Sequence, residues 1–142
     1  MFTSLNEFGP FVLRLALGII FLIHGWPKLN PNSPMKGVAG FAGFLKQMGV
    51  PLPMLSAWVV ALLETVGAVL LILGIGTRLV AALLVINMLV AIFAAKIKFM
   101  KVGFVAQQAT GWEFDFALLA GALSLAFTGP GALAIGSFGL PF

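Results

Sequence analysis

The chain contains no cysteine and no tyrosine, a single histidine and only four acidic residues among 142 positions. Without cysteine it forms no disulfide, offers no thiolate nucleophile and holds no Cys-ligated metal, so any redox work must pass through a bound cofactor or a partner subunit. One histidine excludes a bis-histidine haem and leaves only a single axial ligand open. Charged residues make up 8% of the sequence and hydrophobic residues 61%, whereas ordinary soluble domains carry about 25% charge. That balance leaves little room for a soluble catalytic module, and chemistry must sit among apolar helices or at their ends. The eight Lys and Arg residues give a formal net charge of +4. They lie singly between apolar runs, which speaks against a nucleic-acid partner and makes them topology signals. Gly74-Ile75-Gly76 lies between two such runs and lacks the strand-to-helix setting of a phosphate loop.

Four apolar stretches approach the roughly 20 residues a membrane span needs: about 10–26, 53–73, 79–95 and 112–128. They are continuous rather than alternating, which favours helices over barrel strands. The expectation is an all-α integral membrane four-helix bundle, one transmembrane domain over residues 1–142. Asn30-Pro31-Asn32-Ser33-Pro34, Gly74-Ile75-Gly76-Thr77-Arg78 and Gly129-Pro130-Gly131 punctuate the runs. Met1 to Pro10 lacks the basic region of a signal peptide, and no small-residue cleavage site follows the first run, so that run is expected to be retained. In the first loop Val38, Phe41, Phe44, Leu45 and Met48 recur at helical spacing beside Lys36, Lys46 and Gln47. This predicts a short amphipathic helix, lying in the interface or, slightly favoured, packed over the bundle mouth.

Lys28, Lys36 and Lys46 flank the first long loop and Lys96, Lys98 and Lys101 the third, against Arg78 and Arg14 towards the other face. The positive-inside rule then places both long loops in the cytoplasm and both termini outside. Trp26, Trp58 and Trp112 all fall at helix ends on the lysine-rich side, the headgroup level that indoles prefer.

An ionisable group at the centre of a span costs roughly 2.5–3.5 kcal/mol on insertion scales, so each one needs a partner or a polar cavity. Arg14, His24, Glu64, Asn87 and Glu113 are the residues to explain. At ~1.5 Å per residue His24 lies about 3 Å inside the Trp26 level and Glu64 about 9 Å inside the Trp58 level. Asn87 sits at a depth near that of Glu64, and Glu113 enters from the same end, so the four can converge. Arg14 is roughly 18 Å from the Trp26 level and reaches Glu64 only with a favourable vertical offset. Arg14, Gly18, Phe21, Gly25 and Lys28 form one stripe of the first helix, bordered by His24. Glu64 shares its side with Ala57, Ala61, Gly67 and Ala68, and Glu113 with Ala117, Ala120 and Ser124, small residues that suit close helix contacts. Asp115 points nearly opposite Glu113 and is expected to be solvated at the helix N-terminus. A plainer account exists for each: interfacial hydrogen bonding for His24, a structural pair or protonated acid for Glu64, interhelical bonding for Asn87, a cap for Glu113 and snorkelling for Arg14.

Arg14-Leu-Ala-Leu-Gly18, then Phe21-Leu-Ile-His24-Gly25 and Lys28, resembles the first helix of the DoxX-like membrane proteins. Glu64-Thr-Val-Gly67, Leu73-Gly74-Ile-Gly76-Thr77-Arg78, Gly111-Trp112-Glu113 and Gly129-Pro130-Gly131 extend the resemblance over essentially the whole chain. It implies a protein of the bacterial or archaeal cytoplasmic (inner) membrane with a four-helix core. It also implies links to quinone-dependent oxidoreductase complexes, including thiosulfate-to-quinone electron transfer in some members, and hence redox partner subunits. The tail Gly131-Ala132-Leu133-Ala134-Ile135-Gly136 lacks the Ser-x-Asp that often follows this turn in similar proteins.

Three functions compete. In the first, the chain is a subunit of a quinone-linked system in which His24 and Glu64, supported by Asn87 and Glu113, bind a quinone head group or exchange its protons, with Arg14 and Lys28 completing the polar intramembrane site. In the second it is a scaffold or assembly partner whose polar residues only lock the helices. The third is transport or metal binding through His24, Glu64 and Glu113, although the sequence has no close-spaced ligand motif and no metal is assigned. Whether the chain is catalytic by itself stays open, as does a homo-oligomer; the lipid bilayer is the one partner composition demands.

Overall fold

The computed structural model of the chain describes residues 5–135. Met1–Ser4 of the amino-terminal segment and Gly136 of the tail lie outside the described residues. Among the described residues every regular element is helical: α1 (Leu5–Leu29), α2 (Gly37–Gln47), α3 (Pro53–Leu73), α4 (Thr77–Phe99) and α5 (Glu113–Thr128). Three of them, α1, α3 and α4, are long and apolar enough to cross a membrane. The fourth expected stretch is helical as α5, which at 16 residues is the shortest of the bundle helices.

Local chemistry explains the boundaries. Helix α1 ends at Leu29, two residues after Pro27, whose carbonyl accepts a hydrogen bond from Ser33 Oγ at 2.6 Å. Pro53 opens α3 at the position where a missing N–H costs nothing. Gly74, at φ 74°, closes α3 in a Schellman turn: its N–H bonds Leu71 O at 3.0 Å and the Ile75 N–H bonds Leu70 O at 2.9 Å. Two stretches wind more loosely as π-helix, Leu63–Gly67 within α3 and Ala91–Phe99 at the end of α4. Within the first, Thr65 Oγ1 donates to Ala61 O at 2.6 Å, the kind of side-chain bond that competes with the helical ladder. Short π-helical turns recur at functional sites.

Packing follows small residues. Gly18 and Gly25, seven apart on α1, face α3; a Cβ on Gly25 would lie 2.6 Å from Glu64 O and 2.8 Å from Glu64 Cβ. The two backbones thus touch at Glu64, with Ala57, Ala61 and Ala68 of α3 fully buried along the same helix. Leu17 and Phe21 of α1, Leu71 of α3, Leu84 of α4 and Leu125 of α5 fill the shared core. Helix α2 lays Val38, Phe41, Ala42 and Leu45 over Ala57 and Ala61, so its apolar face is spent on the bundle, as the favoured expectation had it. Outside, Val12, Ile19 and Ile23 of α1, Val59, Leu62 and Val66 of α3, and Leu79, Ile86, Val90 and Phe93 of α4 are exposed. A protein sheathed in aliphatic side chains is one whose helices meet the lipid bilayer.

Arg14 ties down one end. It is 1% exposed, and its guanidinium donates to Pro130 O at 2.9 Å, Ala132 O at 2.9 Å, Leu133 O at 2.8 Å, Leu71 O at 3.4 Å and Ile72 O. Five N–H donors therefore meet carbonyls of the α3 C-terminus and of the turn after α5, where the helix dipole also favours a cation. The Arg14–Glu64 ion pair considered from depth alone does not form: backbone oxygens, which sequence does not display as charges, take the guanidinium instead. Arg78, at the start of α4, does likewise for α5, donating to Phe127 O at 2.6 Å. The second α1 anchor is Ala132 N–H on Glu7 O at 2.9 Å.

Two outcomes follow for stability in detergent. Gly25→Ala should lower it by about 1–3 kcal/mol, because the new methyl meets backbone rather than a yielding side chain, whereas Gly9→Ala, which meets nothing within 4 Å, should be neutral or slightly stabilising; parallel thermal melts decide. Arg14→Lys should cost about 3 kcal/mol or more, since an ammonium cannot span five carbonyls, and equal melting of the variant and the parent would refute this role of the guanidinium.

Candidate functional site

At the other end the charged side chains meet one another. Glu64 projects from the π-helical turn of α3, where Gly25 brings α1 against it. Its Oε2 accepts from Lys28 Nζ of α1 in a salt bridge, and its Oε1 accepts from Asn87 Nδ2 of α4 at 2.8 Å. The side chains of Lys28 and Glu64 are 13% and 5% exposed, so a pair of full charges is kept from water with both carboxylate oxygens occupied. Lys28 Nζ also lies 5.0 Å from the Phe41 ring centroid, so α2 roofs the pair.

Beside this lock opens a cavity of about 420 Å³, lined by Phe21, His24 and Lys28 of α1, Glu64 of α3, Met88, Ala91 and Lys96 of α4, and Phe114, Asp115 and Leu118 of α5, with Thr110 from the preceding loop. Lys96 and Ala91 come from the second π-helical stretch, so both irregular turns of the bundle border the same space. Lys96 Nζ donates to Thr110 O at 2.7 Å and stands 3.9 Å from Asp115 Oδ2. Asp115 Oδ2 is buried with no hydrogen-bond partner. His24 Nδ1 is 2.8 Å from Ile20 O; a carbonyl can only accept, so Nδ1 carries a proton and donates it there. The imidazole lies 5.7 Å, centroid to centroid, from the Phe114 ring.

Of the residues singled out from sequence, Lys28, Glu64 and Asn87 are joined by hydrogen bonds, and His24, Lys28 and Glu64 line the cavity. Arg14 is not part of this group. Glu113 does not line the cavity; its Oε2 is buried without a partner and its N–H bonds Phe104 O at 3.1 Å. Asp115, expected to be solvated at the helix N-terminus, instead lines the cavity with its Oδ2 buried. The rotation of a helix about its axis is set by how its first turn is anchored, and here Trp112 N–H to Gly103 O at 3.3 Å and Glu113 N–H to Phe104 O fix it. Lys96 was passed over because a lysine after an apolar run reads as a topology signal, and Thr110 because its contribution is a backbone oxygen. Among the described residues no three His, Asp and Glu side chains gather as a metal-ligating group.

Chemically, the space joins aromatic and thioether walls to ammonium donors, an imidazole and a carboxylate with spare capacity. Such a mixture suits a small, flat, polar-ended molecule.

Known proteins give this arrangement its context. The sequence profile described as DoxX matches residues 9–97. The chain is 35% identical over 132 residues to "Putative oxidoreductase CatD" of Bacillus subtilis (strain 168), covering 93% of this chain and 87% of that one. It is 30% identical over 125 residues to "Inner membrane protein YphA" of Escherichia coli (strain K12), covering 87% of this chain and 85% of the relative. With "Inner membrane protein YqjF" of the same bacterium it shares 32% identity over 134 residues, 93% of this chain and 92% of the relative. No solved structure matches it. A profile that spans more than half of the chain, inner-membrane relatives aligned nearly end to end and three helices of spanning length lead to one conclusion: the chain belongs to the DoxX family of integral membrane proteins.

Proposed function

We propose that this chain is a membrane subunit of a quinone-linked oxidoreductase system and that the cavity between α1, α3, α4 and α5 receives the quinone head group. The observation that carries the reading is the cavity itself: about 420 Å³ bordered by two lysines, a histidine and two acids inside an otherwise apolar bundle. Intramembrane ionisable groups around a cavity are functional by default, because structure alone rarely repays their burial. The Bacillus relative, named "Putative oxidoreductase CatD", supports the same class.

The residues fit such a ligand. A quinone's carbonyls need donors, which Lys28 and Lys96 provide, and its ring needs apolar walls, which Phe21, Met88, Phe114 and Leu118 provide. When bound, a quinone supplies the two-electron chemistry that a chain without cysteine lacks. His24 Nε2 is the proton-accepting position, and the doubly engaged Glu64 holds Lys28 in place rather than moving protons itself. In this reading α5 is a fourth span despite its length, matched by local thinning of the bilayer. The lysine-rich loops lie in the cytoplasm with the cavity near that face, and both termini lie outside.

A scaffold role has one specific observation in its favour: the Lys28–Glu64–Asn87 lock joins three helices and is complete without any ligand. The two readings part in one experiment. Purified protein titrated with a short-chain quinone should gain thermal stability, by about 2.7 kcal/mol at a hundredfold excess over Kd, and lipid extracts of the preparation should contain quinone. No quinone in the extract and no shift on titration would leave the scaffold.

The lock makes its own prediction. Glu64→Gln leaves Lys28 buried without a counter-charge and should cost about 3–5 kcal/mol, while Lys28→Met combined with Glu64→Leu should recover much of it. Additive losses in that double-mutant cycle, read from melts in detergent, would mean that the two charges do not depend on each other.

A further inference from the structure

Resting on the quinone reading, we propose that Lys96 and Asp115 form a hydroxyl-recognising pair that makes the cavity prefer the reduced, hydroxyl-bearing quinol over the dicarbonyl quinone. The two ion pairs that border the cavity are differently occupied. On one wall each Glu64 oxygen already has a donor, Lys28 on Oε2 and Asn87 on Oε1. On the other wall Lys96 and Asp115 stand 3.9 Å apart, beyond hydrogen-bond length, and Asp115 Oδ2 has no donor at all. A buried carboxylate oxygen without a donor costs free energy that a ligand hydrogen can recover.

The charges around the cavity narrow the ligand further. Lys28 and Lys96 are matched in number by Glu64 and Asp115. A neutral ligand therefore suits the space better than an anion, which would confront two carboxylates. A carbonyl offers only acceptor lone pairs and meets Asp115 lone pair to lone pair, whereas a hydroxyl donates to the carboxylate and still accepts from the ammonium of Lys96. The pair thus reads the hydrogen on the ligand's oxygen. Phe114 and Leu118, on the same helix as Asp115, supply apolar contact that either form of the ring can use.

The test uses the full-length protein in detergent under anaerobic conditions and reads binding by calorimetry. Three probes are compared: a short-chain ubiquinone analogue, its quinol, and the dimethyl ether of that quinol, which keeps the ring but has no hydroxyl hydrogens. The quinol should bind roughly tenfold more tightly than the quinone or the ether, the scale of one hydrogen bond to a charged group. Asp115→Asn should bring the quinol to within about threefold of the quinone, weakening the quinol and strengthening the quinone, because the amide offers the carbonyl a donor where the carboxylate had only lone pairs. Because the three-probe comparison is made on the unsubstituted protein, it holds even if the Asn variant folds poorly. Equal affinities for quinol and ether, or a quinol preference that survives Asp115→Asn, would overturn the role of the pair and leave the quinone site standing. No binding of any probe would overturn both.

Discussion

Everything in this molecule is arranged around the impossibility of leaving a charge alone in hydrocarbon. Helix α1 carries one cation near each end, and each is neutralised by a different means. Arg14 finds five backbone oxygens, and Lys28 finds a carboxylate held in place by Asn87. A guanidinium has the donor number and fork geometry to gather carbonyls from the ends of two other helices, while an ammonium is a point charge that needs a countercharge. The arginines, Arg14 and Arg78, accordingly fasten helix C-termini at one end. The lysines that border the cavity stand against acids at the other.

This division leaves the two ends free for different purposes. The arginine end is closed by tight turns and by the guanidinium hydrogen bonds of Arg14 and Arg78. The lysine end is opened by irregularity: α3 loosens at Glu64 and α4 loosens from Ala91 onward, and the space between them is the cavity. Gly25 limits how far that loosening goes, because it lets α1 press against the Glu64 backbone and fixes the carboxylate from behind. Lock and unsatisfied pair then border the same cavity.

Sequence displayed much of this, for reasons that can be named. Spanning helices are written in long apolar runs, and the Pro and Gly punctuation at residues 30–34 and 74–76 marks where they stop. Glu64, Lys28 and Asn87 were legible because an ionisable or amide group within an apolar run demands a partner, and few partners exist in a chain with four acids. What sequence hides is the backbone and the rotation of short helices. The partners of Arg14 are carbonyls contributed by Leu71, Ile72, Pro130, Ala132 and Leu133, none of which carries a polar side chain. The place of Asp115 in the cavity wall goes with a first turn of α5 that is anchored by loop bonds to the backbone oxygens of Gly103 and Phe104. Lys96 belongs to the cavity only because α4 is π-helical there, and no periodicity rule at 3.6 residues per turn places it.

A polar cavity open to water inside a bundle whose outer surface meets lipid is directly testable, because the chain has no native cysteine. Single cysteines at Ala91, which lines the cavity, and at its neighbour Val90, which is 47% exposed on the outside of α4, should behave oppositely in membranes. A charged, membrane-impermeant thiol reagent should modify Ala91→Cys and spare Val90→Cys, whose side chain is sheathed by lipid. Modification of Val90→Cys with protection of Ala91→Cys would contradict the account, since it would place water on the outer face and none within.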